Sequence, residues 1–275
     1  MNQYDFANIL FAGPCNLRCP YCIGQQVNPA LNWNNLNEFP LRNLARFVEL
    51  IKQHRVTEIV FTGTTTDPQL YRHEARLLQW LREHLPSYPT SYMDKYDPLP
   101  GPPPLRGREQ IRYSLHTNGQ LALHKMDVFN QYDRVCISFP SFKPDTYQKL
   151  MGSSRVPDLA EIMRQAVVPV KISCVLTEHN SHELIEFLNR CGAIGIKRVV
   201  LRQLYGDNSL WTLPEQLIPC SVYRGNPVYG YHGMEVTFWR FDQTTSTSLN
   251  LFSNGAISPH YLLTQAGEKT EDGRW

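Results

Sequence analysis

Short apolar runs and helix-like segments alternate along the chain from residue 6 to about residue 205. Turn residues bound each run, and continuous apolar runs of this length are typical of buried parallel strands. The runs predict strands at 6–12, 57–61, 110–116, 134–139, 168–176 and 197–203. Between them, apolar residues at helical spacing predict helices at 41–54, 70–84, 120–130, 158–166 and 180–191. This alternation predicts an α/β fold, a partial (β/α)6 barrel.

The pattern changes after residue 205. Extended strands are predicted at 235–241 and 248–252, and a third from 257 to 263 after a turn containing Asn254 and Gly255. These strands predict a small β extension followed by a polar tail. We therefore expect two domains, a partial barrel at 1–205 and a C-terminal β extension and tail covering the barrel at 206–275.

Residues 86–108 interrupt the alternation with a segment rich in proline and glycine. Irregular loops of this length inside a compact domain are usually functional or disordered. The segment precedes the third predicted strand, so it is expected near the bottom of the barrel. That position favours a spacer or a partner surface over a lid on an active site.

Composition narrows the class of protein. The chain has 275 residues, of which 42% are hydrophobic, so it can bury a large core. A net charge of +2 gives no support for nucleic acid or an anionic membrane as the main partner. The start of the chain has no basic segment before its short apolar run, and no run is long enough to span a membrane. We expect a cytoplasmic protein.

Three of the seven cysteines lie within eight residues, directly after the first apolar run. They are Cys15, Cys19 and Cys22, spaced Cys-x3-Cys-x2-Cys. A closed zinc site takes four ligands, usually from two Cys-x2-Cys pairs, and the chain has no second pair. In a 4Fe-4S cluster each iron normally takes one thiolate, so three thiolates leave one iron free for another ligand. Two alternatives are a zinc site completed by a distant histidine, and buried cysteines without a metal.

The remaining four cysteines lie far apart. Cys136 and Cys174 sit inside apolar strands, where small buried side chains explain them without ligation. No second cluster is therefore predicted, and the odd total fits a reducing compartment better than disulfides.

The cysteine spacing, with the aromatic Tyr21 before the last cysteine, resembles the signature of the radical S-adenosylmethionine (radical SAM) enzymes. The resemblance implies an open (β/α)6 barrel with its active site at the C-terminal ends of the strands. It also implies one 4Fe-4S cluster and S-adenosylmethionine, whose reductive cleavage gives a 5′-deoxyadenosyl radical that abstracts hydrogen from the substrate. A small molecule or a peptide is the implied substrate, and flavodoxin or ferredoxin an implied electron donor.

Polar residues within the apolar strands occupy alternate positions, so in each strand they lie on one face. Because alternate residues of a barrel strand point inward, they are expected to meet in the lumen. A polar lumen suits a zwitterionic methionine and a ribose, although each serine alone is equally explained as a core hydroxyl. The lumen residues predicted in this way are Ser114, His116, Ser138, Ser173 and Arg202.

The stretch 61–68 is similar to the Gly-Gly-Glu-Pro segment that binds the methionine amino group in the family. Only Gly63 and Pro68 match, Asp67 stands in for the glutamate, and two residues are extra. The amino-group contact is therefore expected from a backbone carbonyl or a threonine hydroxyl near Thr64.

Two further segments resemble parts of the family. The turn at 116–119, which contains Asn118, looks like its Thr-Asn-Gly turn. The segment 133–139 resembles the strand whose serine, here Ser138, contacts the methionine carboxylate in relatives of molybdopterin-precursor synthase. The usual Ser-Leu-Asp is Ser-Phe-Pro here, so a substrate-side carboxylate is missing. The nearest subgroup is the molybdopterin-precursor-synthase-like and peptide-maturase-like one, without its auxiliary-cluster cysteines.

Other classes of protein fit less well. An iron-sulfur or zinc protein that keeps the barrel without catalysis would need a fourth ligand, which the sequence does not offer. A nucleic-acid-modifying member would show a basic face or an appended RNA-binding module, and neither is visible in the sequence. The predicted cofactor-binding residues are Tyr21, Gly63, Thr64, Asp67, Ser114, His116, Asn118, Ser138, Ser173 and Arg202.

Overall fold

The computed structural model describes residues 4–85, 111–207, 209 and 211–260. Six strands in its first part alternate with helices, and each lies within about three residues of its predicted position at either end. The strands are β1 (Phe6–Phe11), β2 (Glu58–Gly63), β3 (Arg112–Thr117), β4 (Arg134–Ser138), β5 (Val170–Val175) and β6 (Arg198–Arg202). The predicted α/β class is confirmed. The proline-rich segment 86–108 lies outside the described residues.

The helices depart from the sequence pattern at two places. Only Met126–Phe129 of the predicted helix at 120–130 is α-helical, and Pro144–Met151 forms a helix that was not predicted. Pro144 occupies the first turn of that helix, and Gly152 ends it with φ of +70°. The six helices are α1 (Leu44–His54), α2 (Glu74–His84), α3 (Met126–Phe129), α4 (Pro144–Met151), α5 (Leu159–Gln165) and α6 (Leu184–Ala193).

Five strands follow the sixth unit. Two of them, β7 (Ile218–Tyr223) and β8 (Asn226–Tyr231), form a hairpin that was not predicted. Its turn places Arg224 at φ +50° and Gly225 at φ +81°, the left-handed geometry of tight hairpin turns. The predicted strands are present as β9 (Met234–Trp239), β10 (Ser248–Leu251) and the two-residue β11 (Ile257–Ser258).

The eleven strands of the described residues belong to one sheet, in the order β11-β10-β1-β2-β3-β4-β5-β6-β9-β8-β7. The eight neighbours from β10 to β9 run parallel, since β10 pairs in parallel with β1 and β9 with β6. The sheet is not closed, which agrees with a partial barrel. The C-terminal strands thus extend both edges of the barrel sheet. The division into domains at residue 205 stays a prediction.

Strand residues of one parity pack under the helices and form the core. Phe61, Leu115 and Ile137 are fully buried there, against helix residues such as Phe47 and Leu81. Each fully buried side chain of this size stabilises the fold by about 1.5–3 kcal/mol. The opposite parity faces the inside of the curved sheet, so the core fixes which side chains reach the lumen. Within the described ranges, no helix has the length and apolar character needed to cross a membrane.

Candidate active site

The three clustered cysteines lie on the loop that follows β1, at the C-terminal ends of the parallel strands. All three are free thiols; Cys15 is exposed, while Cys19 and Cys22 are half-buried. They line a cavity of about 1100 Å³ that extends down the inside of the sheet. Burial, with the neighbouring thiols of Cys22 and Cys15, raises the pKa of Cys19 to about 12. The three cysteines therefore face one open space.

Helix α4 supports the cysteine loop from one side. The Arg18 amide donates to the Met151 carbonyl at 3.3 Å, and the Tyr21 hydroxyl lies 3.1 Å from the Met151 sulfur. Gly152 allows the close approach, because a Cβ there would lie 2.4 Å from the Arg18 carbonyl oxygen. The predicted cofactor residue Tyr21 lines the cavity, and its hydroxyl is used to hold the loop against the helix.

The threonine-rich loop after β2 supports the cysteine loop from the other side. The Thr66 hydroxyl donates to the Pro14 carbonyl at 2.8 Å, and Thr65 Oγ1 accepts from the Gly13 amide at 3.1 Å. The Thr64 hydroxyl donates to Asn32 Oδ1 at 2.7 Å. All three hydroxyls are thus engaged within the protein.

The Thr64 carbonyl oxygen is placed differently from the hydroxyls. It lies 3.6 Å from the Cys22 sulfur, at the rim of the cavity. Gly63 makes the loop possible, because a Cβ there would lie 1.7 Å from the Thr66 carbonyl oxygen. The same holds for Gly24, whose Cβ would lie 2.1 Å from the Thr64 oxygen. Two glycines therefore let the backbone fold closely around this carbonyl.

Asp67 joins the end of β2 to the end of β3. Its buried carboxylate accepts from the Asn118 amide at 2.6 Å, the Gln69 amide at 2.9 Å and the Thr117 hydroxyl at 2.9 Å. Burial raises the pKa of Asp67, although these donors act in the opposite direction. The Asn118 side chain continues the connection to Asn16 Oδ1 at 2.7 Å. Asp67 and Asn118, both predicted cofactor residues, position the cysteine loop.

The upper lumen contains Ser138, Ser173 and Arg202, as the strand parity predicted. Arg202 Nε donates to Ser173 Oγ at 2.8 Å, and its guanidinium carbon lies 5.7 Å from the centre of the Trp239 ring. Ser138 is exposed to the cavity, and its hydroxyl makes no hydrogen bond with the side chains or backbone that the structure describes. A hydroxyl and a guanidinium therefore face the open space together.

Ser114 and His116 differ in their access to the cavity. His116 lines it, and burial, together with the charges of Lys171 and Arg202, lowers its pKa well below the usual value, so it is neutral near pH 7. Ser114 lies beneath, where its hydroxyl donates to Glu58 at 2.5 Å and accepts from Arg134 Nε at 3.0 Å. The inward parity of Ser114 is as predicted, but its hydroxyl is already used in the floor of the lumen.

That floor contains charged residues which sequence reasoning did not assign to the site. Burial would raise the pKa of Glu58, but the Arg134 charge and hydrogen bonds hold it at about 2. Arg198 pairs with Glu235 at 3.1 Å on the far side. Arg134 shares the parity of Ser138, so the sequence of β4 indicated an inward-facing charge. Its partner Glu58 on β2, and the Arg198 partner Glu235 on β9, depend on strand register, which the sequence does not show.

The donor set consists of three thiols, the ligand type that holds iron-sulfur clusters. The described part of the chain has no group of three or more His, Cys, Asp or Glu placed to hold one metal ion. A cluster spreads its thiolates over separate irons, which matches three cysteines around an open cavity. Cys15, Cys19 and Cys22 would hold it, with the cavity open to the remaining iron.

The chain belongs to the radical SAM superfamily, whose family model matches residues 9–201. That range spans β1 to β6 and contains all three clustered cysteines.

Individual relatives agree with this assignment. GTP 3′,8-cyclase of Limosilactobacillus fermentum is 23% identical over 193 residues, which are 68% of this chain and 50% of the relative. SuiB of Streptococcus suis, solved with the precursor peptide SuiA, matches 74% of this chain and 40% of its own with a TM-score of 0.53 and 17% identity. SuiB solved with S-adenosylmethionine gives a TM-score of 0.51 at 17% identity, over 73% of this chain and 41% of its own. The chain therefore spans about half the length of the curated relative, and the structural likeness concerns the fold.

Proposed function

We propose that the protein binds S-adenosylmethionine beside a single 4Fe-4S cluster and acts on a small-molecule or peptide substrate. When bound, cluster and cofactor supply a 5′-deoxyadenosyl radical that removes a hydrogen atom from the substrate. The observation that carries the proposal is the position of three free thiols at the C-terminal end of the parallel sheet, facing a cavity of about 1100 Å³. Membership of the radical SAM superfamily supports it.

Thr64 is the residue we assign to the amino group of the cofactor. The hydroxyls of Thr64, Thr65 and Thr66 donate to Asn32 and to the cysteine loop, so these hydrogen bonds hold their side chains within the protein. The Thr64 carbonyl lies 3.6 Å from the sulfur of Cys22, which would hold the cluster, and could therefore accept from an amino group bound there. A backbone carbonyl accepts hydrogen bonds and cannot be removed by side-chain substitution.

Ser138 and Arg202 are assigned to the carboxylate of the cofactor. Both line the upper lumen, one as an open hydroxyl donor and the other as a guanidinium beside Trp239. Ser173 keeps Arg202 in place through its 2.8 Å hydrogen bond. Tyr21, Gly63, Asp67 and Asn118 shape the loops around the cofactor instead of contacting it with free polar atoms. Their role is positional.

The class of substrate has two candidates. SuiB, a structural relative, was solved with its precursor peptide, which favours a peptide; the size of the cavity, about 1100 Å³, is close to that of small-molecule sites and favours a small molecule. A flavodoxin or ferredoxin as electron donor and a cytoplasmic location belong to the same proposal. A barrel that holds iron without catalysis is the alternative, and it would need a fourth protein ligand at the open position.

Anaerobic reconstitution tests the proposal. About four irons and four sulfides per chain are expected for one cluster, and addition of dithionite and S-adenosylmethionine should release 5′-deoxyadenosine. A homogeneous, active sample with about eight irons would contradict the single cluster. A fully loaded protein that neither binds nor cleaves the cofactor would favour the non-catalytic alternative.

A further inference from the structure

The lumen as a whole carries more positive than negative charge on its strands. Six charged side chains on the strands line the cavity: Glu58, Arg134, Lys171, Arg198, Arg202 and Glu235. The two carboxylates are each paired with an arginine, Glu58 with Arg134 and Glu235 with Arg198. Lys171 and Arg202 therefore remain without a carboxylate partner among the residues that the structure describes.

The two unpaired cations lie at different depths. Arg202 lies opposite Val175, and its side chain reaches Ser173, whose cross-strand partner is Ser138, so it belongs to the proposed carboxylate site of the cofactor. Lys171 pairs with Cys136, two residues before that level on both strands. Two strand residues place its backbone about 7 Å deeper in the barrel. A carboxylate bound at Ser138 and Arg202 would leave Lys171 without a counter-charge.

Burial makes an unpaired cation at this position costly. Removing an ammonium group from water without a partner is strongly unfavourable. Burial, with the charges of Arg134 and Arg202, accordingly lowers the pKa of Lys171. His116 stands at the same level as Lys171, one strand beyond Cys136, and lines the same cavity. Its neutral imidazole offers one N–H donor at the level of Lys171, two strands away in the sheet.

We propose that Lys171, together with the His116 N–H, binds an anionic group of the substrate, a phosphate or a carboxylate, below the cofactor. That the bound molecule is a substrate rests on the proposed function. The anion site itself rests only on the side chains of the lumen. A substrate held at its charged end in the lower lumen would present its other end toward the cluster loop. The site therefore favours a small anionic molecule or a peptide with an acidic residue over a neutral substrate.

Equilibrium dialysis tests the site with simple anions. The reconstituted full chain, saturated with S-adenosylmethionine, is dialysed against radiolabelled inorganic phosphate and, separately, acetate, with sodium chloride holding the ionic strength constant. One bound anion per chain is expected. The anion that binds with the lower dissociation constant shows whether the site prefers a phosphate or a carboxylate. Loss of a charge-assisted hydrogen bond in Lys171→Met should weaken binding about tenfold or more, whereas Lys171→Arg should retain most of it. Lys52→Met, an exposed lysine on α1, is the matched control and should bind as the parent does.

The outcomes separate this inference from the proposed function. Binding of the cofactor without either anion, or equal anion binding by Lys171→Met, overturns the anion site. Anion binding that depends on Lys171 in a protein that does not bind the cofactor supports the site and contradicts the proposed function. Acetylation of the parent protein by acetic anhydride, followed by mass spectrometry, gives a second measurement independent of any variant. Phosphate or acetate should slow modification of Lys171, and an unchanged rate with both overturns the proposal.

Discussion

At the scale of single residues, each of the three cysteines on the loop after β1 occupies its own position, and no other side chain can replace its thiol. Cys19 is the middle thiol, and its sulfur lies 3.8 Å from both the carbonyl oxygen and the sulfur of Met151. Besides Cys15, Cys19 and Cys22, no cysteine of the described chain lies on this loop; Cys174 and Cys191, for example, are buried in β5 and α6. A lost thiolate at this position has no nearby substitute.

Cys19→Ala should therefore prevent a stable cluster and abolish reductive cleavage of S-adenosylmethionine. Iron content and 5′-deoxyadenosine formation after anaerobic reconstitution are the measurements. Cys191→Ala is the control, because it removes a buried thiol of α6 that is not on the cysteine loop. Its iron content and 5′-deoxyadenosine formation should stay near those of the parent. Retained cleavage in Cys19→Ala would show that the cluster is held elsewhere.

Ser138 and Arg202 allow a test of the carboxylate site. A lost charge-assisted hydrogen bond in a buried site costs about 1.5–3 kcal/mol, or roughly 10- to 150-fold in affinity. Ser138→Ala and Arg202→Ala should each weaken cofactor binding by that order while the absorbance of the cluster stays the same. Equilibrium binding under anaerobic conditions is the measurement.

The matched controls carry the same substitutions at exposed positions. Ser221→Ala lies on the outer strand β7 and Arg46→Ala on α1, and neither lines the cavity. Both should bind the cofactor as the parent does. If the two lumen variants do so as well, the carboxylate contacts come from other groups.

At the scale of elements, the contact between α4 and the cysteine loop depends on one glycine. Gly152 has φ of +70°, and its missing Cβ leaves room for the Arg18 carbonyl. A left-handed conformation costs a residue with a Cβ roughly 1–2 kcal/mol. The close approach to backbone adds a clash that only movement of the helix or of the loop relieves.

Gly152→Ala should therefore lower both the thermal stability and the iron content, because the loop that carries the thiols has to shift. Gly195→Ala is a matched control: it has φ of +88°, but its Cβ would meet nothing within 4 Å. The control should lose stability through backbone strain alone and keep its iron. Equal iron loading in the two variants would mean that α4 does not position the loop.

Sequence patterns predicted the elements that are regular and buried on both faces. The strands β1 to β6 are continuous apolar runs, and their parity placed Ser138, Ser173 and Arg202 in the lumen. The hairpin strand β7 was missed because it is short, contains Pro219 and is mostly exposed. Helix α4 was missed because it has only eight residues, beginning at Pro144 and ending at Gly152.

The unpredicted parts of the site have a common physical cause. Strand parity predicts which hydroxyls face the lumen. Whether such a hydroxyl is free to bind a ligand depends on side chains from neighbouring strands. Ser114 illustrates this, because Glu58 of β2 and Arg134 of β4 occupy its hydroxyl. The pairing of β9 with β6 and of β10 with β1 likewise depends on the curvature of the whole sheet.

At the scale of the whole molecule, the ion pair of Glu58 and Arg134 connects strands on the floor of the lumen. The pKa of Glu58 is about 2 in the folded protein, compared with an ordinary value of 4.5. A lowered folded pKa gives stability that is present above pH 4.5 and is lost as the pH falls toward 2. At about 1.4 kcal/mol per unit, the contribution is of the order of 3 kcal/mol.

Urea unfolding of the metal-free chain at pH 5 and pH 3 measures this contribution. The parent should lose stability between these values, and Glu58→Gln should lose less while being less stable than the parent at pH 5. Glu161→Gln is the control: the pKa of Glu161 is also about 2, but that carboxyl is on the surface beside Arg164, so solvent screens the pair. Parallel pH profiles for the parent and Glu58→Gln would show that the floor pair does not stabilise the fold.

The pairing of β1 with β10 has a consequence for synthesis on the ribosome. Phe6 lies opposite Ser248, and the side-chain amide of Asn8 donates to Asn250 at 2.7 Å, so the first strand is completed by one made more than two hundred residues later. Until that strand emerges, the growing chain presents one apolar β1 edge with unpaired backbone groups, a template for pairing with other chains. Pairing with β10 therefore covers a strand edge that is open until late in synthesis, and slow translation before β10 would prolong its exposure.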